Sequence, residues 1–279
     1  MKKIFSNDIV DKISKTLVKI NFSLPREVKH SIENAYKKER EKYSQKYLGI
    51  ILENIKIAEK NKVPICQDTG IIVVFVEIGL DVKIITGKYR NLDEIINAGV
   101  EKGSKEGYLR NSVVFPLNRN NTNKNSPAVI HYISKEKDKF KITLLSKGFG
   151  SENTSKIKML NPSEGEKGIE NFIIETVKEA GSLPCPPIFV GVGIGGTFEK
   201  SAILSKYALT KIGNETSKYR KWEKEIINKI NKLKIGPGGF GGNITCLDLK
   251  IETYPTHIAG LPVAVNICCW AHRIGSFEL

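Results

Sequence analysis

The chain lacks any apolar run able to cross a bilayer: Gly70–Val76 and Ile188–Ile194, the longest, fall well short of the roughly 20 residues required. It also lacks a signal-peptide core, because Asn7, Asp8, Asp11 and Lys12 interrupt the N-terminal segment where one would lie. A cytoplasmic protein with no membrane partner is therefore expected. Long segments of low hydrophobicity are absent too, which argues against extensive disorder. There are no repeats, no low-complexity linker and no clear internal boundary. A single unit over residues 1–279 is the expectation, helical over about 1–60 and α/β over about 61–279.

Arginine is scarce. Only seven of the 44 basic residues are Arg, against 30 acids and a net charge of +14. The lysines alternate with Glu in runs such as Lys37–Lys46 and Lys218–Lys234, the pattern of solvated helix faces with i,i+4 pairs. No nucleic-acid partner is expected, although a basic nucleic-acid-binding module is a rival reading that the charge invites.

What is present reads as an α/β chain: mixed β-sheets flanked by helices, with a helical N-terminal section. Apolar residues at helical spacing (Ile9, Ile13, Leu17, Ile20; then Leu48, Ile51, Ile55, Ala58) mark the opening helices, and Pro25 suits the start of a second. IIVVFVEIG after Gly70 predicts a buried strand, and a helix is expected from about Asn91 to Gly107. Leu109–Asn125 is a long Asn-rich loop, a type that is usually functional or disordered. Strands are expected at Ala128–Ile133 and Lys139–Leu145. A helix from Pro162 to Ala180 should end at Gly181. After Pro184-Cys185-Pro186-Pro187 come the strand IFVGVGI, a helix from Glu199 to about Thr210, and a charged helix near Ser217–Lys234. ITCLDLKIE and PVAVNICC read as the last strands.

Gly191-x-Gly193-x-x-Gly196 lies between that strand and helix, the local context of a dinucleotide fingerprint. The fingerprint also needs a second strand ending in an acid about 20 residues on. Here Ile212–Lys234 is polar and helical, and Glu215 sits in a loop. A nicotinamide-dependent oxidoreductase is thus a second rival, and the bland reading is a turn allowing close backbone approach.

The five cysteines, Cys66, Cys185, Cys246, Cys268 and Cys269, include no CxxC pair, which argues against a finger- or ribbon-type zinc site. Cys66 falls in a polar turn, Cys185 is clamped between prolines, and Cys269 ends an apolar run before WAHR. Thiolates at three rigid loop edges suit an iron–sulfur cluster with one iron left open, able to act as a Lewis acid. Five inert thiols are the alternative.

CQDTG (Cys66–Gly70), LPCPP (Leu183–Pro187), GVGIGGTFEKSAILSKYAL (Gly191–Leu209), GPGGFGGNIT (Gly236–Thr245) and YPTHIAGLPVAVNICCWAHR (Tyr254–Arg273) together resemble the iron–sulfur hydro-lyases. The likeness is to class I fumarate hydratases and L-tartrate dehydratases, specifically the α subunit of the two-subunit forms, and it spans nearly the whole chain. It implies that Cys66, Cys185 and Cys269 ligate a [4Fe-4S] cluster, with Cys246 structural. Cys269 is preferred to Cys268 because it directly precedes Trp270, at the family's aromatic or small position.

The same resemblance implies that Gln67, Asp68, Arg110 and His257 bind substrate, with Asp68 and His257 as the catalytic residues of this chain. It further implies backbone contacts from Gly148 and Gly150, although Phe149 stands where many relatives carry glycine. Bland alternatives are an ordinary turn acid for Asp68, a surface ion pair for Arg110 and a satisfied buried carbonyl for His257; His131 and His272 have only bland readings. The implied reaction is reversible hydration of a small dicarboxylate, fumarate to (S)-malate or, alternatively, the L-tartrate reaction. In the family, the proton-abstracting base and further carboxylate-binding groups belong to a second domain that single-chain forms carry after the matched segment. This chain ends at Leu279, six residues past Arg273, so a separate β subunit and an α2β2 heterotetramer are expected.

Overall fold

The computed structural model describes residues 1–279. In chain order the elements begin β1 (Lys2–Phe5), α1 (Ser6–Phe22), α2 (Arg26–Lys38), α3 (Lys42–Asn61), β2 (Ile71–Gly79), β3 (Val82–Ile85) and α4 (Leu92–Glu106). Next come β4 (Val129–Lys135), β5 (Phe140–Lys147), α5 (Phe149–Glu152), β6 (Lys156–Leu160), α6 (Gly165–Ala180), β7 (Ile188–Gly195) and α7 (Phe198–Leu209). The chain closes with α8 (Arg220–Asn231), β8 (Cys246–Tyr254), β9 (Leu261–Cys268) and β10 (Arg273–Glu278). The class is α/β, with mixed sheets and helices at the N-terminus. Two compact units are built from interleaved segments: 1–25, 54–148 and 272–279 form one, and 26–53 with 149–271 form the other.

The first unit holds a four-stranded sheet in the order β10-β5-β2-β4, in which β4 runs parallel to β2 and the other neighbours are antiparallel. Strand pleating sends Ile72, Val74 and Val76 of β2 to one face, where they meet Ile142 and Leu144 of β5 and the apolar stripes of α1 and α4. Those two helices approach closely because α4 offers Gly99 and Gly103 one turn apart. A Cβ at Gly99 would stand 2.7 Å from the Ile13 Cβ, and one at Gly103 2.9 Å from the Ser14 Cα. The Asn91 side chain caps α4 by accepting the Glu94 N–H at 2.9 Å. Residues 109–125 form no regular element beyond one isolated bridge between Val114 and Asn121.

The second unit's sheet runs β6-β9-β7-β8, with β7 and β8 parallel and β9 antiparallel to its neighbours. All of β7 is buried. Val190, Val192 and Ile194 pack with Ile169, Phe172 and Ile173 of α6 and Ile226 and Ile230 of α8. The alternate residues face α7: a Cβ on Gly191 would sit 2.1 Å from the Ser205 carbonyl oxygen, and one on Gly193 2.0 Å from that of Ser201. Two glycines of the apparent dinucleotide fingerprint therefore lie inside the strand and let α7 lie directly on it, which is the bland reading of the motif.

Two expectations change. A strand, β1, precedes the helices, since Lys2–Phe5 pairs in parallel with β3, a partner that local periodicity does not reveal. PVAVNICC is not the last strand either: β10 follows and pairs with β5.

Candidate active site

In the first unit the polar segments meet at one end of the sheet. The turn Cys66–Gly70 leads into β2, whose first residue, Ile71, pairs with Lys147 at the end of β5, while Arg273 at the start of β10 pairs with Ser146. Gly70 has φ +70°, and a Cβ there would lie 2.2 Å from the Lys147 carbonyl oxygen, so glycine is required. Asp68 Oδ1 accepts the Gly70 N–H at 2.9 Å. Thr69, 2% exposed, joins three segments: its Oγ1 donates to the Arg110 carbonyl at 2.6 Å and lies 3.1 Å from Ser112 Oγ, while its own carbonyl accepts from Ser146 Oγ at 2.7 Å. The long loop's Arg110 is thereby tied to the Cys66–Gly70 turn, its side chain exposed and paired with no carboxylate.

Behind the turn stands Asn21, wholly buried near the end of α1. Its backbone carbonyl accepts from the Ile65 N–H at 2.8 Å, and its side-chain oxygen accepts from Arg273 Nη1 at 3.1 Å and Ser146 Oγ at 3.4 Å. Arg273 is itself buried, and its Nε–H has no acceptor. Gly148 separates the charged groups: a Cβ there would stand 3.1 Å from Asp68 Oδ2 and 3.6 Å from Arg273 Nη2. Lys147 is fully buried and donates to the Gly148 carbonyl at 3.3 Å. Gln67, Asp68, Arg110 and Gly148 are thus brought to one place, together with Lys147, Arg273 and Asn21, which sequence reasoning passed over. A lysine closing the apolar run FKITLLSK was the available signal for the first, whereas nothing local marks Asn21.

The second unit gathers Cys185 and Cys269. Cys185 lies just before β7, exposed and at φ +55°, a left-handed conformation that a non-glycine residue holds only when its surroundings impose it. The surroundings are the glycine-rich loop 236–244. Gly238 N–H donates to the Pro186 carbonyl at 2.8 Å, and Gly239, at φ +79°, leaves only 2.4 Å between a Cβ and that of Ser182. Glu39, fully buried, holds this loop by accepting the N–H groups of Asn243 and Ile244 on one oxygen and those of Arg40 and Glu41 on the other. Burial alone would push its carboxyl up, but those four donors hold it below the ordinary carboxylate value. Cys268 pairs with Phe189 and is buried, so the half-buried Cys269 beside it is the accessible thiol at the same end of β7 as Cys185. Cys246 is buried at the start of β8, where burial and the nearby charge of Asp248 push its thiol up. None of the five cysteines forms a disulfide; Cys66, in the first unit, is half-buried.

His257 stands elsewhere. It belongs to the loop between β8 and β9, at the end of the sheet where β7 finishes, and it is exposed. Its Nδ1 accepts the Ala259 N–H at 3.2 Å, so it satisfies no buried carbonyl. Gly150 lies in the one-turn α5, where a Cβ would approach only the Leu183 carbonyl oxygen, at 3.8 Å; Phe149 before it is partly exposed. His131 stacks on Phe75, with centroids 5.1 Å apart, and His272 is fully buried.

This α/β chain carries a carboxylate, arginines and a buried lysine around one polar turn, and thiols at the end of a second sheet. Comparison with known proteins narrows the class. The chain belongs to the fumarate hydratase (Fumerase) family, whose profile matches residues 10–278, and is a hydro-lyase. It is 45% identical over 258 residues to a Methanocaldococcus jannaschii protein provisionally named L(+)-tartrate dehydratase subunit alpha, covering 90% of each chain. It is 29% identical over 277 residues to the L(+)-tartrate dehydratase subunit alpha of Escherichia coli K12, covering 97% of this chain and 90% of that one. The Shigella boydii protein of the same name matches to the same extent.

Proposed function

We propose that this chain is the α subunit of an iron–sulfur hydro-lyase, that it works with a separate β subunit in an α2β2 assembly, and that it adds water reversibly across the double bond of a small dicarboxylate. Fumarate to (S)-malate is the first reading. The L-tartrate reaction is the second, favoured by the names of the relatives. The observation that carries the proposal is the tie from Thr69 to the Arg110 carbonyl, which fixes the backbone of a residue suited to carboxylates beside the turn bearing Cys66, Gln67 and Asp68.

Cys66, Cys185 and Cys269 are the residues that would hold a [4Fe-4S] cluster. The donor set suits it: these three thiols are loop-borne, Cys185 exposed and Cys66 and Cys269 partly exposed, whereas Cys246 and Cys268 are buried in strands. Soft thiolates are the ligands such a cluster needs, and when bound it supplies a Lewis acid toward the hydroxyl and one carboxylate of a 2-hydroxy acid. Arg110 supplies the planar fork for a carboxylate. Asp68, with Oδ1 held by the Gly70 N–H and Oδ2 beside Gly148, has a fixed orientation in which to hold or pass a proton at Oδ2. Gln67, exposed beside it, and the backbone at Gly148 and Gly150 offer polar contacts to the substrate. The base opposite the cluster belongs to the β subunit.

The test is to purify the chain anaerobically, measure iron and sulfide, and assay fumarate and L-tartrate with and without the β subunit. A full cluster with turnover only when both chains are present is expected. Substantial turnover by this chain alone, at a rate the β chain does not raise, overturns the two-chain reading, and a protein that takes up no iron overturns the cluster.

A further inference from the structure

Away from the thiols, the second unit contains a cavity of about 190 Å³ between the loop joining α7 to α8 and residues 250–253 of β8, the edge strand of its sheet. The floor of this cavity is ionic. Lys250 and Glu223, both buried, stand 3.4 Å apart, and Lys250 lies equally close to Asp248, which takes Arg220 Nη1 at 2.8 Å. Two cations thus face two carboxylates. Glu223 also accepts the Ile251 N–H at 3.1 Å and the Ser217 hydroxyl at 2.7 Å, so the buried charges are compensated and hold the loop against the strand.

The rim does not balance. Lys211 and Lys218 each place the ammonium 4.8 Å over a tyrosine ring, those of Tyr207 and Tyr219, rather than in an ion pair. Glu252 is the one carboxylate that both lysines act on, and burial still pushes its carboxyl above the ordinary value. Two ammoniums against one carboxylate leave a net positive charge at the mouth.

Neutral donors stand beside it. Asn214 spends its carbonyl oxygen on Thr216, accepting the N–H at 2.8 Å and Oγ1 at 2.7 Å, which leaves its NH2 group over. The hydroxyls of Tyr219 and Thr253 lie 2.9 Å apart and share one hydrogen bond, so one of their two hydrogens remains to be given. The volume falls below the roughly 300–1,000 Å³ of sites for drug-sized ligands, which limits the occupant to a small molecule.

We propose that this cavity is a binding site for a small oxyanion, a phosphate or carboxylate group held by Lys211 and Lys218, with Asn214 and the Tyr219–Thr253 pair as neutral donors. Glu252 opposes the anion and limits its affinity. The site stands apart from the Cys66–Gly70 turn and does not depend on the hydro-lyase reading.

The full chain, labelled with nitrogen-15, is titrated with inorganic phosphate and separately with L-malate, at an ionic strength held constant with chloride so that screening is not read as binding. The amide signals of residues 214–219 and 253 should shift and saturate with at least one of the two. Saturation by phosphate alone or by malate alone identifies the source of the oxyanion, and saturation by both makes the site a general one. Lys211→Met/Lys218→Met should lose the saturable shift while keeping the rest of the spectrum; Lys218→Met alone, weakening it, replaces the pair if the double variant fails to fold. Glu252→Gln removes the opposing charge and should tighten binding about 2- to 5-fold, an effect that a merely structural carboxylate would not produce. No saturable shift at these residues with either anion overturns the proposal, and so does saturation unchanged in the lysine variants. Binding no tighter in Glu252→Gln overturns the placing of the anion beside that carboxylate.

Discussion

Thr69→Val tests whether the turn positions Arg110. The side chain is buried, and its hydroxyl makes the shortest tie between the turn and the long loop, 2.6 Å to the Arg110 carbonyl. Valine keeps the shape and removes the hydroxyl. The carbonyl is not orphaned, because Ser112 Oγ still donates to it at 3.1 Å, and the loop keeps the Ser112 N–H bond to Asn125 Oδ1 at 2.7 Å. The stability loss should therefore stay near the net value of one hydrogen bond, about 0.5–1.5 kcal/mol, read as a lower urea midpoint at unchanged slope. Up to the same free energy should be lost from transition-state binding as Arg110 drifts, about 2- to 12-fold in kcat/KM.

Arg110→Lys provides the reference, since it keeps the charge and loses the fork, a loss of about 1.5–3 kcal/mol or roughly 10- to 150-fold in kcat/KM. If Thr69 acts through Arg110, the double variant should fall short of the sum of the two singles, because a misplaced lysine has little left to lose. Both are assayed anaerobically with the β subunit and normalised to iron content. Thr69→Val with reduced stability and kcat/KM within error of wild type would refute the positioning role. Strict additivity would refute the route through Arg110.

Three further outcomes are expected. Cys185→Ser and Cys269→Ser should abolish the brown chromophore while Cys246→Ser keeps it, measured by iron, sulfide and visible spectrum; full iron in Cys185→Ser would count against its assignment. Glu39→Gln should destabilise the protein at neutral pH, because the carboxylate that accepts four N–H groups is held below its ordinary value and is lost to the variant. Since that stabilisation is present above the ordinary carboxylate value and disappears as pH falls through the lowered one, wild type and variant should converge in acid; a pH-independent difference in urea midpoint would show that charge is not the cause. Gly193→Ala should cost several kcal/mol or prevent folding, because its Cβ would stand 2.0 Å from the Ser201 carbonyl oxygen on a helix that cannot move alone, whereas Gly260→Ala, with open space around it, should be tolerated; thermal melts of the two would separate them.

Elements whose signal is local were legible. β2 announces itself through the apolar run Ile71–Val76 because it is buried on both faces, and α4 carries its cap residue and its stripe within one window. β1 and β10 were not, since each exists through a distant partner: Lys2–Phe5 pairs with β3, and Arg273–Glu278 with β5. The two units could not be read from composition, because they interleave along the chain and no boundary is a change of character. The glycine motif was legible only as a place of close approach. That the approaching group is the backbone of α7 is a fact of packing.

Charge illustrates the same limit at the site. The net +14 drew attention to surface lysines, but the cations gathered around the Cys66–Gly70 turn are Lys147 and Arg273, both buried beside Gly148, and the exposed Arg110. A buried cation is costly unless something compensates it, and near Gly148 the named carboxylate is that of Asp68. Under the proposed function, such charges, already desolvated and oriented by Asn21 and the backbone, would attract a carboxylate more strongly than lysines on a solvated helix. No sum over the chain could point to them. They are made by strand ends that the fold brings together, Ser146 opposite Arg273 and Lys147 opposite Ile71, and their position around the Cys66–Gly70 turn follows from that register.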